Sequence, residues 1–599
     1  MSRTGLERGP KIGQSNFEKP QNQKQTIARL WQYMSKQRLG LIIATLTVLA
    51  ATALKIAGPW LIGYIIDEHV IPLDISGTIR MACVLAATYF ALFGVSYVQT
   101  IVMIHVAQKT IQKLRYALFQ KIQHLPLCFF DKHEQGDLMS RVTNDIDALN
   151  MALTQSVTQL LTAILTIVGT TFAIFWLDWR LAIVVLLVIP LIVFLSKKII
   201  QYASVHYRKR QKALGQVNSF MEESLNASEI VTLFGKEMEQ TNAFHGKNEQ
   251  LRHAAIRAET VSGLMGPVNN AMNNIGLGLV IGVGALLAVN GYTTVGVIAA
   301  FVTYTRQFFQ PINQLSNLWN TFQSAIAGAE RVFEVMDEEE EVLATEHVAN
   351  KKEFKGDVSI QHVDFEYEKG HPILKDVSME AKAGQMIAIV GPTGSGKTTI
   401  IQLLSRFYDY TNGTILIDGQ PIDTIAKSDL REQIGVVLQD PYLFSGTIRD
   451  NIRFGRLDAT DEEVERAAEV AYAHQFIRHL PAQYDTTLTA GGMNLSQGQR
   501  QLVAIARAIL ENPRILILDE ATSNVDTRTE VHIQRGLQNL MNNRTSFVIA
   551  HRLKTIEQAD CIYVLQQGEV IEFGNHASLM EQDGFYAELQ KKSTMQENT

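Results

Sequence analysis

Cysteine and excess basic charge are both scarce in this chain of 599 residues. The cysteines Cys83, Cys128 and Cys561 are scattered and lack metal-ligand spacing, so they predict neither a disulfide framework nor a metal site. The formal net charge of -6 provides no basic face, which excludes nucleic acid as an expected partner. The first thirty residues are polar and mixed in charge, so we expect no cleaved signal peptide.

Charged residues make up only 19% of the chain, and the apolar excess lies before about residue 320. A hydrocarbon core about 30 Å thick requires roughly 20 apolar residues per helix. Six segments meet this requirement, at about residues 39–63, 80–105, 153–177, 181–203, 265–289 and 294–318. The first half is therefore predicted to be a polytopic helical membrane domain.

The loops between these spans differ in charge. The loops after the second and fourth spans carry the basic residues Lys109, Lys113, Arg115, Lys121, Lys132, Lys197, Lys198, Arg208, Lys209, Arg210 and Lys212. The loops near Asp67, Asp178 and Asn290 are short and have few or no basic residues. The positive-inside rule then places both termini in the cytoplasm. The two basic loops are long and rich in helix formers, which predicts long cytoplasmic helical extensions of the spans.

From Val358 onward, short strands and then alternating strands and helices predict a soluble α/β domain. Within it, MIAIVGPTGSGKTTIIQLL places a glycine-rich loop between a strand and a helix, the context of a P-loop. The predicted nucleotide-binding residues of this loop are Gly391, Pro392, Thr393, Gly394, Ser395, Gly396, Lys397, Thr398 and Thr399. Backbone N–H groups would surround the β-phosphate, Lys397 would reach the β- and γ-oxygens, and Thr398 would supply a hydroxyl to Mg²⁺.

The segment RILILDEATSNVD supplies acidic groups for the same chemistry. Four apolar residues of a buried strand deliver Asp519 to the metal, and Glu520 is the candidate base for the attacking water. The alternative is an ordinary acidic pair at the end of a strand. The P-loop in the same domain favours the catalytic interpretation.

These motifs and their order resemble the ATP-binding cassette (ABC) transporters, specifically exporters with six spans fused ahead of one cassette. The resemblance covers nearly the whole chain and implies ATP and Mg²⁺ as cofactors. It also implies that Tyr367 stacks on adenine, that Gln439 contacts Mg²⁺ and the membrane domain, and that His551 contacts the γ-phosphate. Asp526 resembles the loop aspartate that joins two cassettes. The segments FFDKHEQGDLMSRVTNDI and SFMEESLNASEIVTLFGKE resemble the turns that carry coupling helices.

The segment NLSQGQ occupies the position of the family signature LSGGQ. The resemblance implies that Ser496, Gly498 and Gln499 bind the γ-phosphate of ATP held by the opposite cassette. Gln497 replaces the usual glycine, and the preceding TLTAGGM lacks the usual glutamate. One interpretation is neutral drift. The other interpretation, which we prefer, is by resemblance to bacterial heterodimeric exporters. In these, one subunit keeps a complete P-loop, the Walker B glutamate (here Glu520) and the switch histidine (here His551) but carries an altered signature, and its partner has the reverse pattern.

Polar residues recur at helical spacing in the last two spans. They are Asn269, Asn270, Asn273, Asn274, Gln310, Asn313, Asn317 and Asn320. They could be interhelical hydrogen-bonding groups, or they could line a substrate cavity with the aromatic residues Trp60, Tyr304 and Trp319. Lys55 lies well inside the first span, where an ionisable residue favours a functional or gating role.

Two acidic features remain. Asp67 and Glu68 follow the first span and are either solvated loop residues or part of an outer gate. The run MDEEEEV at 336–342 is predicted to be a solvated linker. The predicted organisation is a flexible segment 1–25, a transmembrane domain 26–325, a linker 326–355, an ATP-binding cassette 356–592 and a tail 593–599.

The sequence thus predicts a half-transporter in a bacterial plasma membrane that pairs with a second half-transporter. We expect ATP-driven export of hydrophobic or amphipathic compounds. The expected partners, besides the second half-transporter, are a small amphipathic substrate and membrane lipid. The alternatives are a homodimer that flips lipid or exports peptide, and an ATP-gated channel or regulatory subunit. Import is also possible on this fold.

Overall fold

The computed structural model describes residues 22–342, 354–519, 527–549 and 556–597. The described residues divide into two compact units. The first comprises those of Met1–His124 and Glu134–Glu338, and the second those of Leu125–His133 and Glu339–Thr599. The boundary near residue 338 coincides with the change from apolar helices to strands in the sequence.

The first unit is helical. Its α-helices are Gln23–Ser35, Arg38–Ile65, Ile75–Gln123, Gln135–Ser140, Ile146–Met151, Val157–Leu177, Trp179–Asn226, Ser228–Leu233, Glu237–Gly263, Met265–Val289 and Val295–Asp337. Three π-helical turns are Ile66–Val70, Arg141–Asp145 and Ala152–Ser156. The predicted polytopic helical domain is therefore confirmed.

Four helical stretches among the described residues are long and apolar enough to cross a membrane: Arg38–Val70, Ile75–Gln123, Gln135–Leu177 and Glu237–Val289. They contain the first, second, third and fifth predicted spans. The predicted spans 181–203 and 294–318 lie on two further long helices, which include positions whose side chains are outside the described part of the chain.

Two helices are much longer than a bilayer requires. Ile75–Gln123 has 49 residues and Trp179–Asn226 has 48. At about 1.5 Å per residue, each exceeds twice the roughly 30 Å of a hydrocarbon core. Both therefore extend far beyond the membrane, as the long basic segments predict.

The last helix of the first unit continues past residue 325, the predicted end of the transmembrane domain. Buried apolar residues repeat along this continuation at helical spacing, including Ala329, Val332 and Phe333. The N-terminal helix packs there, with the Arg29 guanidinium 4.3 Å from the Phe333 ring centroid. A buried apolar face thus keeps residues 326–337 helical, within the segment predicted as linker.

The second unit contains the predicted α/β domain. Its largest sheet has six strands in the order Glu569–Gly574, Cys561–Gln566, Met386–Val390, Thr545–Ile549, Ile515–Asp519 and Ile434–Val437. The first of these runs antiparallel to its neighbour and the others pair in parallel. The central strands are nearly all apolar and buried because parallel strands are covered on both faces.

A second sheet is antiparallel, with the strand order Pro372–Ala381, Val358–Glu366, Asn412–Ile417 and Gln420–Pro421. A two-stranded sheet pairs Gly446–Thr447 with Thr487–Leu488. Within the described residues of this unit, the α-helices are Leu127–Lys132, Lys397–Leu404, Lys427–Glu432, Ile448–Arg453, Asp461–Val470, His474–Arg478, Gln497–Glu511, Thr527–Met541, His576–Glu581 and Phe585–Glu597. Short 3₁₀ helices are Ile422–Thr424, Gln483–Asp485 and Ala490–Gly492.

One residue of the acidic run 336–342 is not a solvated linker residue. The Glu341 side chain is only 12% exposed, and it lies 3.1 Å from Lys427 and 2.8 Å from Arg431. Burial opposes ionisation of Glu341, but hydrogen bonds from Arg431 and Lys427 outweigh it and lower the pKa of the carboxyl group. Two cations of the second unit therefore hold this part of the run.

Candidate functional site

The P-loop connects the strand Met386–Val390 to the helix Lys397–Leu404. Gly394 and Gly396 have φ angles of 82° and 104°, a conformation that residues with a side chain rarely adopt. A Cβ atom at Gly396 would also lie 2.6 Å from Leu374 Cδ2. The glycines thus allow the tight turn that directs the backbone N–H groups at the helix N-terminus toward an anion.

Lys397 is the first residue of that helix, and its side chain folds back over the loop. Its ammonium donates to the carbonyl oxygens of Gly391 and Pro392, each at 2.9 Å. Burial lowers the pKa of Lys397, and the Asp519 carboxylate partly opposes this shift. A buried cation at this position is suited to bind a phosphate oxygen.

The hydroxyls of the loop differ in environment. Ser395 is buried, and its Oγ has no hydrogen-bond partner among the described residues. Thr398 is exposed at the helix N-terminus, whereas Thr399 is buried. An unpartnered buried hydroxyl beside a buried ammonium fits a bound anion, because a ligand can satisfy both groups.

Sheet register brings further predicted residues to the same edge. Ile549 pairs with Ile389 of the P-loop strand and with Asp519 of the next strand. Gln439 follows the strand Ile434–Val437, which pairs in parallel with the strand that ends at Asp519. Asp519 and Gln439 therefore follow the same carboxyl edge of the sheet as the P-loop.

Tyr367 lies beside the P-loop helix. Its hydroxyl is 3.2 Å from Thr399 Oγ1 and also donates to Gln402. The ring is 44% exposed and packs edge-on against Phe365 and Tyr408. An exposed aromatic face next to the P-loop helix is suited to stack on a nucleobase.

Ser496 is the N-cap of the helix Gln497–Glu511. Its Oγ accepts from the Gln499 N–H at 3.3 Å, and the Gln499 side chain accepts from the Ser496 N–H at 3.0 Å, which forms a capping box. Gly498 is buried on the first turn. Gln497 is partly exposed, and its Nε2 is 3.5 Å from Asp440 Oδ1. The cap interactions of Ser496 and Gln499 were not predicted, although the S-x-x-Q spacing indicates them.

Glu520, Asp526 and His551 lie outside the described residues. Their roles therefore stay predictions. The described part of the site fits an Mg²⁺–nucleotide: the P-loop N–H groups, Ser395 and Lys397 would hold phosphates, and Thr398, Gln439 and Asp519 would supply oxygen ligands to the metal. The bound metal would neutralise charge on the terminal phosphates.

The membrane residues predicted to form one cavity do not all lie together. Lys55 lines a cavity of about 480 Å³ in the first unit, together with Gln310. Tyr304 instead is only 1% exposed within an apolar cluster, and its hydroxyl donates to the Ile56 carbonyl oxygen at 2.7 Å. Trp60 and Asn273 are outside the described cavity wall. The side chains of Asn269, Asn313, Asn317, Trp319 and Asn320 lie outside the described part of the chain.

The sequence analysis did not identify the polar residues that line the same cavity as Lys55. The helical segment from Ala152 to Leu177 places Gln155, Thr158, Gln159, Thr162 and Thr166 along the cavity. Their spacing of three or four residues is the signal that could have identified a polar face within an apolar span. The π-helical turn Ala152–Ser156 begins this wall, and such turns are frequent at functional sites.

Asp67 has a defined structural contact. It accepts from the Gly296 N–H at 2.7 Å and from the Thr294 hydroxyl at 2.5 Å. Asp67 thereby binds the N-terminus of the helix Val295–Asp337, where a carboxylate is favoured by the helix dipole. Asp67 is therefore not a solvated loop residue without protein contacts.

The first predicted coupling segment divides between the units. Its helix Leu127–Lys132 belongs to the second unit, where Asp131 accepts a hydrogen bond from Tyr408. Burial, together with the bond to Asp131, raises the pKa of Tyr408 well above its ordinary value. The neutral tyrosine therefore persists as a donor to this segment.

Comparisons with known proteins agree with this architecture. The family described as the ABC transporter transmembrane region matches residues 41–312, and the family described as ABC transporter matches residues 374–523. A relative from Bacillus subtilis (strain 168), "Uncharacterized ABC transporter ATP-binding protein YfiC", is 43% identical over 97% of this chain and 96% of its own length. The chain belongs to the ABC transporters. It is an exporter half-transporter, in which one membrane domain is fused to one cassette.

Two further relatives have more specific names. "Fatty acid ABC transporter ATP-binding/permease protein" of Mycobacterium bovis (strain ATCC BAA-935 / AF2122/97) is 40% identical over 86% of this half-transporter and 82% of its own length. "ATP-dependent lipid A-core flippase" of Syntrophus aciditrophicus (strain SB) is 36% identical over 84% and 83%. The half-transporter binds ATP and couples its hydrolysis to transport across a membrane, as this family membership shows.

Proposed function

We propose that this half-transporter drives efflux of hydrophobic or amphipathic compounds, of the multidrug type, as one half of a heterodimer in the bacterial cell membrane. Both termini lie in the cytoplasm in this proposal. The heterodimer is inferred from the combination of an intact P-loop with a signature in which Gln497 replaces glycine.

Different residues of this chain bind phosphate, bind the metal and accept the proton at its P-loop. Lys397 and the P-loop N–H groups orient the phosphates, and Asp519, Gln439 and Thr398 would supply oxygen ligands to Mg²⁺. Glu520 accepts the proton of the attacking water, and His551 contacts the terminal phosphate. These roles combine the described P-loop geometry with the family resemblance.

The signature acts at the partner's nucleotide. Ser496, Gly498 and Gln499 face the γ-phosphate held by the partner cassette, and Asp526 contributes to the contact between cassettes. A glutamine side chain at 497 occupies space where glycine would let the backbone approach the phosphate closely. The partner's nucleotide site is then bound but hydrolysed slowly, whereas this chain's site turns over when the partner supplies an unaltered signature.

Transport follows from a difference in affinity between two states. A ligand shifts a conformational equilibrium only when it binds one state more tightly. ATP meets this condition because its γ-phosphate joins the two cassettes only when they are closed. Closure turns the substrate cavity outward, and hydrolysis restores the first state.

A homodimeric lipid flippase is the second candidate function. The observation that favours it is that two relatives are named for fatty acid transport and for flipping of lipid A-core. A peptide exporter has no comparable support. An ATP-gated channel or regulatory subunit needs to bind nucleotide but does not need to hydrolyse it. The predicted hydrolytic residues Asp519, Glu520 and His551 therefore argue against that function.

The test is Mg-ATPase activity of the purified chain in lipid, alone and co-expressed with a neighbouring-gene half-transporter. We expect low activity alone and at least about tenfold more with the partner, a change of roughly 1.4 kcal/mol in the barrier. Glu520→Gln abolishes that activity, while the control Glu581→Gln, at an exposed glutamate, leaves it unchanged. Full activity of the chain alone would contradict the heterodimer and favour the flippase.

A further inference from the structure

The cavity beside Lys55 lies entirely within the first unit. Its volume of about 480 Å³ falls within the roughly 300–1,000 Å³ of small-molecule sites. The helices Arg38–Ile65, Ile75–Gln123 and Val295–Asp337 contribute to it, together with the polar segment from Thr154 to Thr166. It is therefore bounded by several membrane helices of one chain.

The described lining of the cavity carries positive charge and no negative charge. Lys55 is the only ionisable side chain among the described residues that line it. No carboxylate in the described part of the chain forms an ion pair with Lys55. A cation within a span is costly unless it pairs or reaches water, so an anionic ligand would lower the energy of this site.

The rest of the wall suits a ligand with a polar head and an apolar body. The amides of Gln99, Gln155, Gln159 and Gln310 line the cavity, and each can both donate and accept hydrogen bonds. Two hydroxyls of the wall, Thr158 Oγ1 and Thr166 Oγ1, are buried without a hydrogen-bond partner. Such unpartnered groups favour a ligand that brings oxygen atoms to them.

Apolar residues complete the surface. Leu92 and Met103 lie on the helix Ile75–Gln123, and Ala51, Ala163 and Pro311 contribute further apolar area. Methionine adapts to chains of different shape because it has several rotatable bonds. The polar and apolar parts of the wall together match an amphiphile.

We infer that this cavity binds an acyl-chain amphiphile whose head is a single oxygen anion, a carboxylate or a phosphodiester, paired with Lys55. This inference rests on the proposed function and specifies its substrate class. The acyl chain lies along the apolar wall, and the glutamines bind the head alongside the Lys55 ammonium. Neutral amphiphiles of the same length lack the ion pair and bind more weakly.

The test measures binding rather than turnover, with the chain in an uncharged maltoside detergent that contains no phosphodiester. Palmitate is compared with hexadecanol, which has the same chain length but no charge. Since hydrogen bonds to charged groups contribute more than neutral ones, we expect about tenfold tighter binding of palmitate. A separate arm uses phosphatidylglycerol as competitor, which distinguishes a carboxylate from a phosphodiester as the preferred head.

Variants assign the preference to Lys55. Lys55→Gln removes the preference for palmitate over hexadecanol, whereas Lys55→Arg retains most of it and shows that the fold tolerates substitution there. Lys113→Gln, at an exposed lysine outside the cavity, is the matched control and retains the full preference. A preference that survives in Lys55→Gln, or equal binding of the two ligands to the unmodified protein, would overturn the inference.

The result is distinct from a failure of the proposed function. Binding of palmitate requires no partner and no ATP hydrolysis. Loss of anion selectivity with intact, Glu520-dependent ATPase activity contradicts only the ligand class. Absence of ATPase activity with partner contradicts the proposed function, while the binding measurement still decides the inference.

Discussion

Arg331 and Asp145 form a two-point ion pair in the first unit. Arg331 Nε donates to Asp145 Oδ2 at 2.9 Å, and a second guanidinium nitrogen donates to Oδ1. Asp145 is the last residue of the π-helical turn Arg141–Asp145 and is only 7% exposed. The pair therefore joins the last helix of the unit to the segment that precedes the third span.

Arg331→Gln is predicted to destabilise the first unit. Loss of the guanidinium leaves a mostly buried carboxylate without its charged donor, which costs about 1–3 kcal/mol. Thermal unfolding of the purified chain in detergent checks this as a lowered Tm. Arg257→Gln, at an exposed arginine on another helix, is the control and leaves Tm unchanged. An unchanged Tm in Arg331→Gln would show that the pair contributes nothing.

Lys397→Ala is predicted to weaken nucleotide binding. The Lys397 ammonium is held by the carbonyl oxygens of Gly391 and Pro392, so the substitution removes a positioned positive charge. We expect the loop to keep its conformation, because its glycines determine the turn. We expect at least about a tenfold rise in Kd for a fluorescent ATP analogue. The matched control is Lys382→Ala, at an exposed lysine of the same unit, with an unchanged Kd.

Gln497→Gly is predicted to raise the Mg-ATPase activity of the chain alone. Glycine restores the usual signature and removes the side chain that lies beside Asp440. A gain of about tenfold corresponds to roughly 1.4 kcal/mol. Gln497→Asn retains an amide at the same position and should stay low. A fall in activity for Gln497→Gly would show that the glutamine supports hydrolysis.

Glu511 is predicted to make stability depend on pH. Burial raises the pKa of Glu511 to about 7, and Arg507 partly opposes that shift. In the range between the ordinary pKa near 4.5 and about 7, the folded state binds more protons than the unfolded state, so stability falls as pH rises and levels off above about 7.

Glu511→Gln removes this titration. Relative to the unmodified chain, the variant should gain about 1–3 kcal/mol between pH 5 and pH 8. Tm measured at both pH values gives the comparison, with Glu581→Gln as the exposed control. A Tm difference between variant and unmodified chain that is the same at both pH values would contradict the raised pKa.

The P-loop, Asp519 and the long helices could be predicted because a local sequence pattern determines each of them. The P-loop could be located because Gly391 to Thr398 follows a β-branched strand, and Asp519 because it ends a continuous apolar run. The long helices followed from apolar and helix-forming segments. Each of these features depends on neighbours in the sequence.

Contacts between distant residues could not be predicted in the same way. Glu341 was assigned to a solvated run because its neighbours are acidic, but Lys427 and Arg431 surround it in the fold. Tyr304 was assigned to a cavity because it is aromatic within a span, but it packs in the core against Ile56. The cavity beside Lys55 combines residues from four separate parts of the chain, which no single spacing reveals.

We propose that ATP hydrolysis at this chain's P-loop drives movement of an amphiphile across the membrane. The most direct measurement is uptake of a fluorescent acyl amphiphile into inside-out vesicles that contain the chain and its partner half-transporter. We expect uptake that requires Mg-ATP and is lost in Glu520→Gln, although that variant still binds ATP. Uptake at an unchanged rate in Glu520→Gln would show that hydrolysis at this P-loop does not drive the movement.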